Sequence, residues 1–385
     1  MRILLYRSGA QGDTLLTLPA LDALRRRHPA AILTLAAHPA YGAPLLGAGR
    51  ADALIDAGAP PFHLLHTAPV LHTAPVPRAP QEVPHPAPET DDLDRLLRAF
   101  GLIILLTRDP EGLGPEGAVA ARLRSLKAQT SKVSTLIAPP FPPEGDRRHI
   151  AAWTLGTLAA LKAKISILPD APTAPAVKCG EMRVASCDSA PAAAPETGPE
   201  AALSNLNPAP DPLIQTEQIQ SDANKTLNWL GISSASSFIA IHPGGGGRPK
   251  WPPSAALAAL ARGFCKKTGA RPLLIEGPAD EAPTALFKAA WGAIAHTSGA
   301  EEIPRLVSPP LDLLSALLAR SAAFVGGDSG VSHLAALSGA PTLALFGPAS
   351  NPARWGPIGP RAGWISWNKA DEGADSLMRL AGREP

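Results

Sequence analysis

Short apolar runs, each leading into a stretch of helical periodicity, decide what this chain can fold into. Arg2 to Tyr6, Ile32 to Ala36, Ala53 to Asp56 and Leu102 to Leu106 carry the pattern in the first hundred residues. Phe238 to His242, Pro272 to Glu276, Ala323 to Gly326 and Pro341 to Phe346 repeat it, with helical stretches at Ser254 to Lys267 and Leu311 to Arg320. Apolar strands alternating with helices are the signature of parallel strands joined by crossover helices. The expected class is therefore α/β. A chain of 385 residues is also too long for one hydrophobic core. Two Rossmann-like domains facing each other across a cleft are expected.

The boundaries fall at changes of composition. Residues 1–168 read as an N-terminal domain and 213–385 as a C-terminal one. Between them, 169–212 is dominated by Ala, Pro, Ser, Glu and Gly. It has too few large apolar residues to bury a core, so a disordered linker is expected. Inside the first domain, Pro60 to Glu89 is rich in Pro and His, and Leu65-His66-Thr67-Ala68-Pro69-Val70 is copied at once as Leu71-His72-Thr73-Ala74-Pro75-Val76. So short a duplication cannot build a repeat fold and reads as a surface insertion. Its histidines, His63, His66, His72 and His85, have no carboxylate or cysteine at a fixed helical spacing beside them, so no metal is expected there.

Charge and cysteine usage narrow the class further. A net charge of +2 is not the excess of a dedicated nucleic-acid binder, and no nucleic-acid partner is expected. Cys179, Cys187 and Cys265 are odd in number and lack zinc spacing, which reads as free thiols in a reducing cytosol. The run Ile3-Leu4-Leu5-Tyr6 is too brief for a signal h-region or a membrane span. The expectation is a cytoplasmic protein with at most peripheral contact at the inner membrane. Arg25 to Arg27 read either as an aid to approaching an anionic lipid acceptor or as a solvated helix face.

Three glycine-containing loops each follow an apolar run, where ligands collect in a parallel sheet. The first is Arg7-Ser8-Gly9-Ala10-Gln11-Gly12-Asp13, leading into an apolar-periodic helix reaching about Arg26. Exposed amides at such a helix start favour an anion, and its spacing is not the dinucleotide fingerprint. Asp13 reads either as a helix cap or as a catalytic carboxylate. The second is His242-Pro243-Gly244-Gly245-Gly246-Gly247-Arg248-Pro249-Lys250-Trp251-Pro252, a glycine floor with two cations that suits phosphate without being a P-loop. The third, Gly326-Gly327-Asp328-Ser329-Gly330-Val331-Ser332-His333, turns a strand into a helix start able to bind a pyrophosphate, with His333 one turn further on. Asp328 reads as a possible cap as well.

Taken together these loops resemble glycosyltransferase family 9, the ADP-heptose:lipopolysaccharide heptosyltransferase family. The resemblance rests on Gly12-Asp13 with Leu18-Pro19-Ala20-Leu21, His242-Pro243-Gly244 with Lys250-Trp251-Pro252, and Asp328-Ser329-Gly330 with His333-Leu334-Ala335. It ends with Leu345-Phe346-Gly347-Pro348 and Arg354-Trp355-Gly356-Pro357, and covers roughly residues 1 to 135 and 213 to 365. Position 329 is Ser where the family most often has Thr, which keeps the hydroxyl. The insertion and the long linker are not family features.

The resemblance implies a GT-B fold, an acceptor held mainly by the first domain near Gly12 and Asp13, a donor held by the second, and inversion at the anomeric carbon. It implies ADP-heptose as donor and a lipopolysaccharide-core or related glycan as acceptor. Asp13 would be the base, and Lys250 would neutralise the leaving diphosphate. Ser329, Gly330 and His333 would hold that diphosphate, with Gly244, Gly245 and Asp328 beside it. Glu281 would accept from the donor ribose, a role for which Asp280 and Glu276 lie close enough to compete. No Asp-x-Asp sequence adjoins these loops, since Asp91-Asp92-Leu93-Asp94 adjoins the insertion, so neither metal nor cofactor is expected. The alternatives are a GT-B transferase or an epimerase using a different nucleotide sugar, and a non-catalytic homologue that binds one. The joint presence of Asp13 and Lys250 argues against the last. A nicotinamide-dependent dehydrogenase is disfavoured by the missing fingerprint.

Overall fold

A computed structural model describes residues 1–66, 90–107, 118–130, 132–164, 210–233, 235–294 and 302–384. Most of the expected linker and insertion, including His72, His85, Cys179 and Cys187, lies outside the described residues. The first half carries β1 (Arg2–Tyr6), β2 (Ile32–Ala37), β3 (Ala53–Asp56), β4 (Leu102–Leu106) and β5 (Ser134–Ala138). They pair in parallel in the order β3-β2-β1-β4-β5. The second half carries β6 (Phe238–His242), β7 (Arg271–Glu276), β8 (Arg305–Val307), β9 (Ala323–Gly327), β10 (Thr342–Phe346) and β11 (Ala362–Ser366). These are also parallel, in the order β11-β10-β9-β6-β7-β8.

The expected strands are present, with ends shifted by a residue. Three further strands, β5, β8 and β11, lie at sheet edges. An edge strand is covered less completely, as the partly exposed Arg305–Val307 shows, so it lacks the continuous apolar run that betrays a central one.

Helices connect the strands. In the first half they are α1 (Gln11–Leu15), α2 (Leu18–Arg27), α3 (Pro39–Gly47), α4 (Thr90–Leu97), α5 (Ala118–Gln129) and α6 (Ile150–Lys164). In the second they are α7 (Glu217–Trp229), α8 (Ser254–Thr268), α9 (Glu281–Ile294), α10 (Leu311–Ala319), α11 (Gly330–Leu337), α12 (Pro352–Trp355) and α13 (Gly373–Leu380). The single helix expected to reach about Arg26 is broken at Leu16-Thr17. Pro19 has no N–H to continue the ladder and its fixed φ suits the first turn of a new helix, so α2 begins there. The consequence for the site is that α1 is a short separate element.

Alternation along the strands builds three cores. Leu4 and Tyr6 point into a cluster with Phe62, Leu97, Ile103 and Leu126 on one face of the first sheet. Ile239 and Ile241 do the same against Leu257, Phe264 and Leu274 on the second. Their neighbours Ile3, Leu5 and Leu35 join Ala240, Phe324 and Leu334 in one continuous cluster spanning both halves. Each fully buried side chain of this size contributes about 1.5–3 kcal/mol, so the seam between the halves is held by the same force as each half.

The seam also gathers polar clasps. Residues 210–212, expected as the end of a mobile linker, are instead fixed: Arg50 donates to the carbonyls of Asp211 and Pro212 at 3.1 and 3.0 Å. Gln215 then donates to Pro44 O of the first half and to Ser315 Oγ of the second.

Candidate active site

In the second sheet β6 lies between β9 and β7, so the loops leaving the three carboxyl ends sit side by side. This is a topological switch point, the place where open parallel sheets bind ligands. The glycine floor leaves β6 there: Gly244 lies against the Asp280 carboxylate, and Gly245 lies beside Asp328 O and the Lys250 side chain. A single 3-10 turn, Arg248–Lys250, brings Lys250 back over the floor. Its Nζ meets Asp328 Oδ2 at 2.7 Å, and Ser350 Oγ donates to the same oxygen. Asp328 is therefore not the cap of α11. Ser329 is, with its Oγ accepting from Ser332 N–H at 3.2 Å.

The carboxylates competing for a ribose are sorted by their partners. Glu276 is buried and paired with Arg305 at 3.1 Å. Asp280 accepts from the Gly277 amide at 2.7 Å and from His242 Nε2 at 2.9 Å. Burial alone would push its carboxyl up, but these bonds and the imidazole hold it below the usual carboxylate range. Glu281, in the first turn of α9, is exposed and forms no hydrogen bond or ion pair with the described residues. It is the carboxylate of the three left free for a ligand.

On the other side of the seam, Asp13 fulfils its capping reading, because its Oδ2 accepts from Ala10 N–H at 3.0 Å. Its Oδ1 stands 3.4 Å from Arg7 Nη2, a pairing that sequence alone did not suggest. Arg7 is fully buried, donates to Pro140 O at 2.8 Å and lies 4.8 Å over the Phe141 ring. Burial pulls its pKa down, against the opposing pull of Asp13. The Asp13 side chain keeps 14% of its surface, so the carboxylate is fixed in direction yet reachable.

The two sides meet with a glycine on each. A Cβ on Gly12 would stand 2.9 Å from His333 Cδ2, and one on Gly330 would stand 2.7 Å from Gln11 Cβ. Glycine at both positions is what lets the starts of α1 and α11 approach. His333 is buried, and its Nδ1 has no hydrogen-bond partner among the described residues. Burial pulls its pKa to about 4, with Asp328 opposing and His149 and Lys250 reinforcing, so the ring is neutral at ordinary pH. Near it His149, at the head of α6, accepts from Ala151 N–H on Nδ1 and thus donates from Nε2 to Gly356 O at 2.9 Å. Arg354 donates to Pro142 O, and Trp355 packs on Phe141. The Arg354-Trp355-Gly356 run is thus a clasp of the seam.

The structure thus brings Gly12, Gly244, Gly245, Lys250, Asp328, Ser329, Gly330 and His333 close together, with Asp13 next to Gly12 and Glu281 at the start of α9, beside Asp280. Residues 209–378 match the family described as glycosyltransferase family 9 (heptosyltransferase). The C-terminal half is thus similar to glycosyltransferase family 9. The matched segment contains every residue expected on the donor side, while Gly12 and Asp13 precede it.

Solved structures extend the likeness to both halves. The glycosyl transferase family 9 structure from Veillonella parvula aligns over 95% of this chain and 85% of its own, at TM-score 0.59 and 16% identity. ADP-heptose lipopolysaccharide heptosyltransferase II of Escherichia coli aligns over 99% and 98%, at TM-score 0.59 and 16% identity. Escherichia coli heptosyltransferase WaaC with ADP aligns over 95% and 93%, at TM-score 0.51 and 14% identity. At such identities the likeness is one of fold, and that fold is GT-B. No curated protein matches the sequence.

Several residues packed against this group were not singled out by the sequence. His242 stood in view within the His-Pro-Gly motif, but its two partners come from loops 38 and 87 positions away. Arg7 carried a signal, a cation at the end of a strand before a glycine turn. Ser350 and His149 carried none.

Among the described residues no group of three His, Cys, Asp or Glu side chains is placed to hold a metal ion. Asp92 and Asp94 of the acidic run are paired instead with Arg95 and Arg122. His66 lies within reach of Thr107 Oγ1 at 3.4 Å. No described helix is long and apolar enough to cross a membrane.

Proposed function

We propose that the protein is an inverting glycosyltransferase that moves heptose from ADP-heptose onto a lipopolysaccharide-core or related glycan acceptor. The observation that carries the reading is the approach of the Gly12-Asp13 turn to the Ser329–His333 helix start, with Lys250 beside it. Inverting transfer needs a base on one side of the anomeric carbon and stabilisation of a leaving diphosphate on the other. Asp13 takes the acceptor hydroxyl proton as the oxygen attacks the anomeric carbon. The bond from that carbon to the diphosphate oxygen breaks, and its electron pair leaves with the nucleoside diphosphate. Lys250 and the amides at Ser329 and Gly330 meet the charge that develops there. Neutral His333 donates a ring N–H to a phosphate oxygen, and Glu281 accepts from the ribose.

The donor assignment draws on the Escherichia coli neighbours, one described as an ADP-heptose enzyme and one bound to ADP. We assign the charge stabilisation to the chain's own groups, so activity should persist in excess chelator. We further assign the reaction to the cytoplasm, with peripheral contact at the inner membrane through the glycolipid acceptor. Cys265 suits a resting thiol, since burial pushes its pKa to about 11.

Thermal unfolding with a panel of nucleoside diphosphates and nucleotide sugars tests the proposal. At a hundredfold excess over Kd a ligand stabilises by about 2.7 kcal/mol, so ADP and ADP-heptose should raise the unfolding temperature by several degrees. No stabilisation by any nucleoside diphosphate would defeat it.

A further inference from the structure

His242 is buried at the carboxyl end of β6, between the two strands whose loops form opposite sides of the proposed donor site. Its ring reaches both. Nε2 stands 2.9 Å from Asp280 Oδ2, on the turn that ends at Glu281. Nδ1 stands 3.3 Å from Ser329 Oγ, the cap of α11. An ionised carboxylate only accepts, so Nε2 carries the hydrogen of the first bond. Ser332 gives its hydroxyl hydrogen to Gly327 O at 2.6 Å and its amide hydrogen to Ser329 Oγ. The Ser329 oxygen is thus held from the helix side by Ser332 and from the strand side by His242. Without the ring, the 277–281 turn and the 328–332 helix start would share no side-chain bond through this point.

We propose that His242 is a positioning residue for the donor: one buried ring fixes the ribose-side turn and the diphosphate-side helix start relative to each other. This rests on the donor site proposed above. The role assigned to the ring involves no contact with donor or acceptor, since both ring nitrogens are taken by Asp280 and Ser329 and neither bonds to Asp13 or Lys250. Its loss should therefore appear in donor affinity and not in the chemical step.

The test uses the full chain, ADP as probe in calorimetric titration below the unfolding transition, and steady-state kinetics with the donor varied. The bond to Ser329 is neutral and the one to ionised Asp280 charge-assisted, but both act on the donor only through the loops they fix, so their joint loss is set at about tenfold in affinity. His242→Ala should raise the ADP Kd and the donor KM about tenfold while kcat falls less than about threefold, values carried by the same hydrogen-bond estimate. His242→Gln, whose amide can still reach Asp280, should recover part of that loss. If His242→Ala does not fold, the cycle of His242→Gln with Ser329→Ala decides. Gln removes only the Ser329 bond, so the double variant should bind ADP as Ser329→Ala alone does, and an additive fall would overturn the proposal. An ADP Kd for His242→Ala within about twofold of the parent, or a fall confined to kcat, would overturn it as well. Failure of the unaltered protein to bind any nucleoside diphosphate would overturn the donor site and this inference together. Tight ADP binding that ignores His242 would overturn this inference alone.

Discussion

Replacing Gly12 by Ala sets two effects against each other at one position, and their sizes decide the outcome. Gly12 lies within α1, where Ala favours the helix by about 0.5–1 kcal/mol. The added methyl would stand 2.9 Å from His333 Cδ2. His333 is 3% exposed, so its ring has little room to retreat. Overpacking of this kind costs about 1–3 kcal/mol, so the clash wins. Gly12 belongs to one half and His333 to the other, and the easiest relief is a slight widening of the seam. That moves Asp13 away from the donor while the Lys250–Asp328 pair and the Ser329 cap keep their own contacts. The expected result is a fall in kcat of about ten- to a hundredfold, one factor of ten for each 1.4 kcal/mol. The ADP Kd should stay within about threefold, the scatter of one weak contact. Steady-state turnover at saturating donor and calorimetric titration with ADP measure the two. A kcat within twofold of the parent, or an ADP affinity that collapses with kcat, would refute the reasoning.

Further outcomes follow from the same geometry. Lys250→Gln should lower kcat by about 10²–10³, the loss typical of one preorganised charge partner, and should weaken ADP binding in the same titration. It also leaves Asp328, 7% exposed, with Ser350 as its remaining side-chain partner among the described residues. Glu281→Gln should leave the unfolding temperature unchanged, because the carboxylate is exposed and has no partner among the described residues, yet raise the donor KM about tenfold or more. Acid should destabilise the fold through His333, whose pKa is about 4 in place against 6.5 when free. Below the free value the unfolded chain binds a proton that the folded chain refuses. Stability is therefore full above pH 6.5 and declines toward pH 4, by a limit of about 3 kcal/mol. Urea unfolding at pH 7 and pH 5 should show this fall, and a His333→Asn variant should show a shallower one; equal slopes would refute it.

What could be read from the sequence tracks how local each signal is. Central strands such as Leu102–Leu106 are buried on both faces, so composition alone marks them. The edge strands β5, β8 and β11 are partly exposed and blend into loops. The glycine loops could be read as candidate anion sites because a strand, a turn and a helix start are contiguous in the chain. Asp13 was ambiguous for a physical reason that persists in the fold, since the carboxylate both caps α1 and faces Arg7. Three acidic residues in six positions could not be ranked until their partners, His242 and Arg305, came in from other strands. Long-range pairs of this kind, including the His149 clasp on Gly356, have no footprint in local pattern.

The central claim is that Asp13 is the base of a transfer carried out across this seam. Its most direct test is transfer of heptose from ADP-heptose to a heptose-deficient core acceptor by the unaltered protein and by Asp13→Asn, with the anomeric configuration of the product recorded. The isosteric amide keeps the bond from Ala10 but cannot take a proton. The account expects an inverted product from the unaltered protein. From the variant it expects turnover lower by about 10²–10⁴, the usual size of a lost general base, at unchanged ADP affinity. Full activity in Asp13→Asn, or a product with retained configuration, would contradict it.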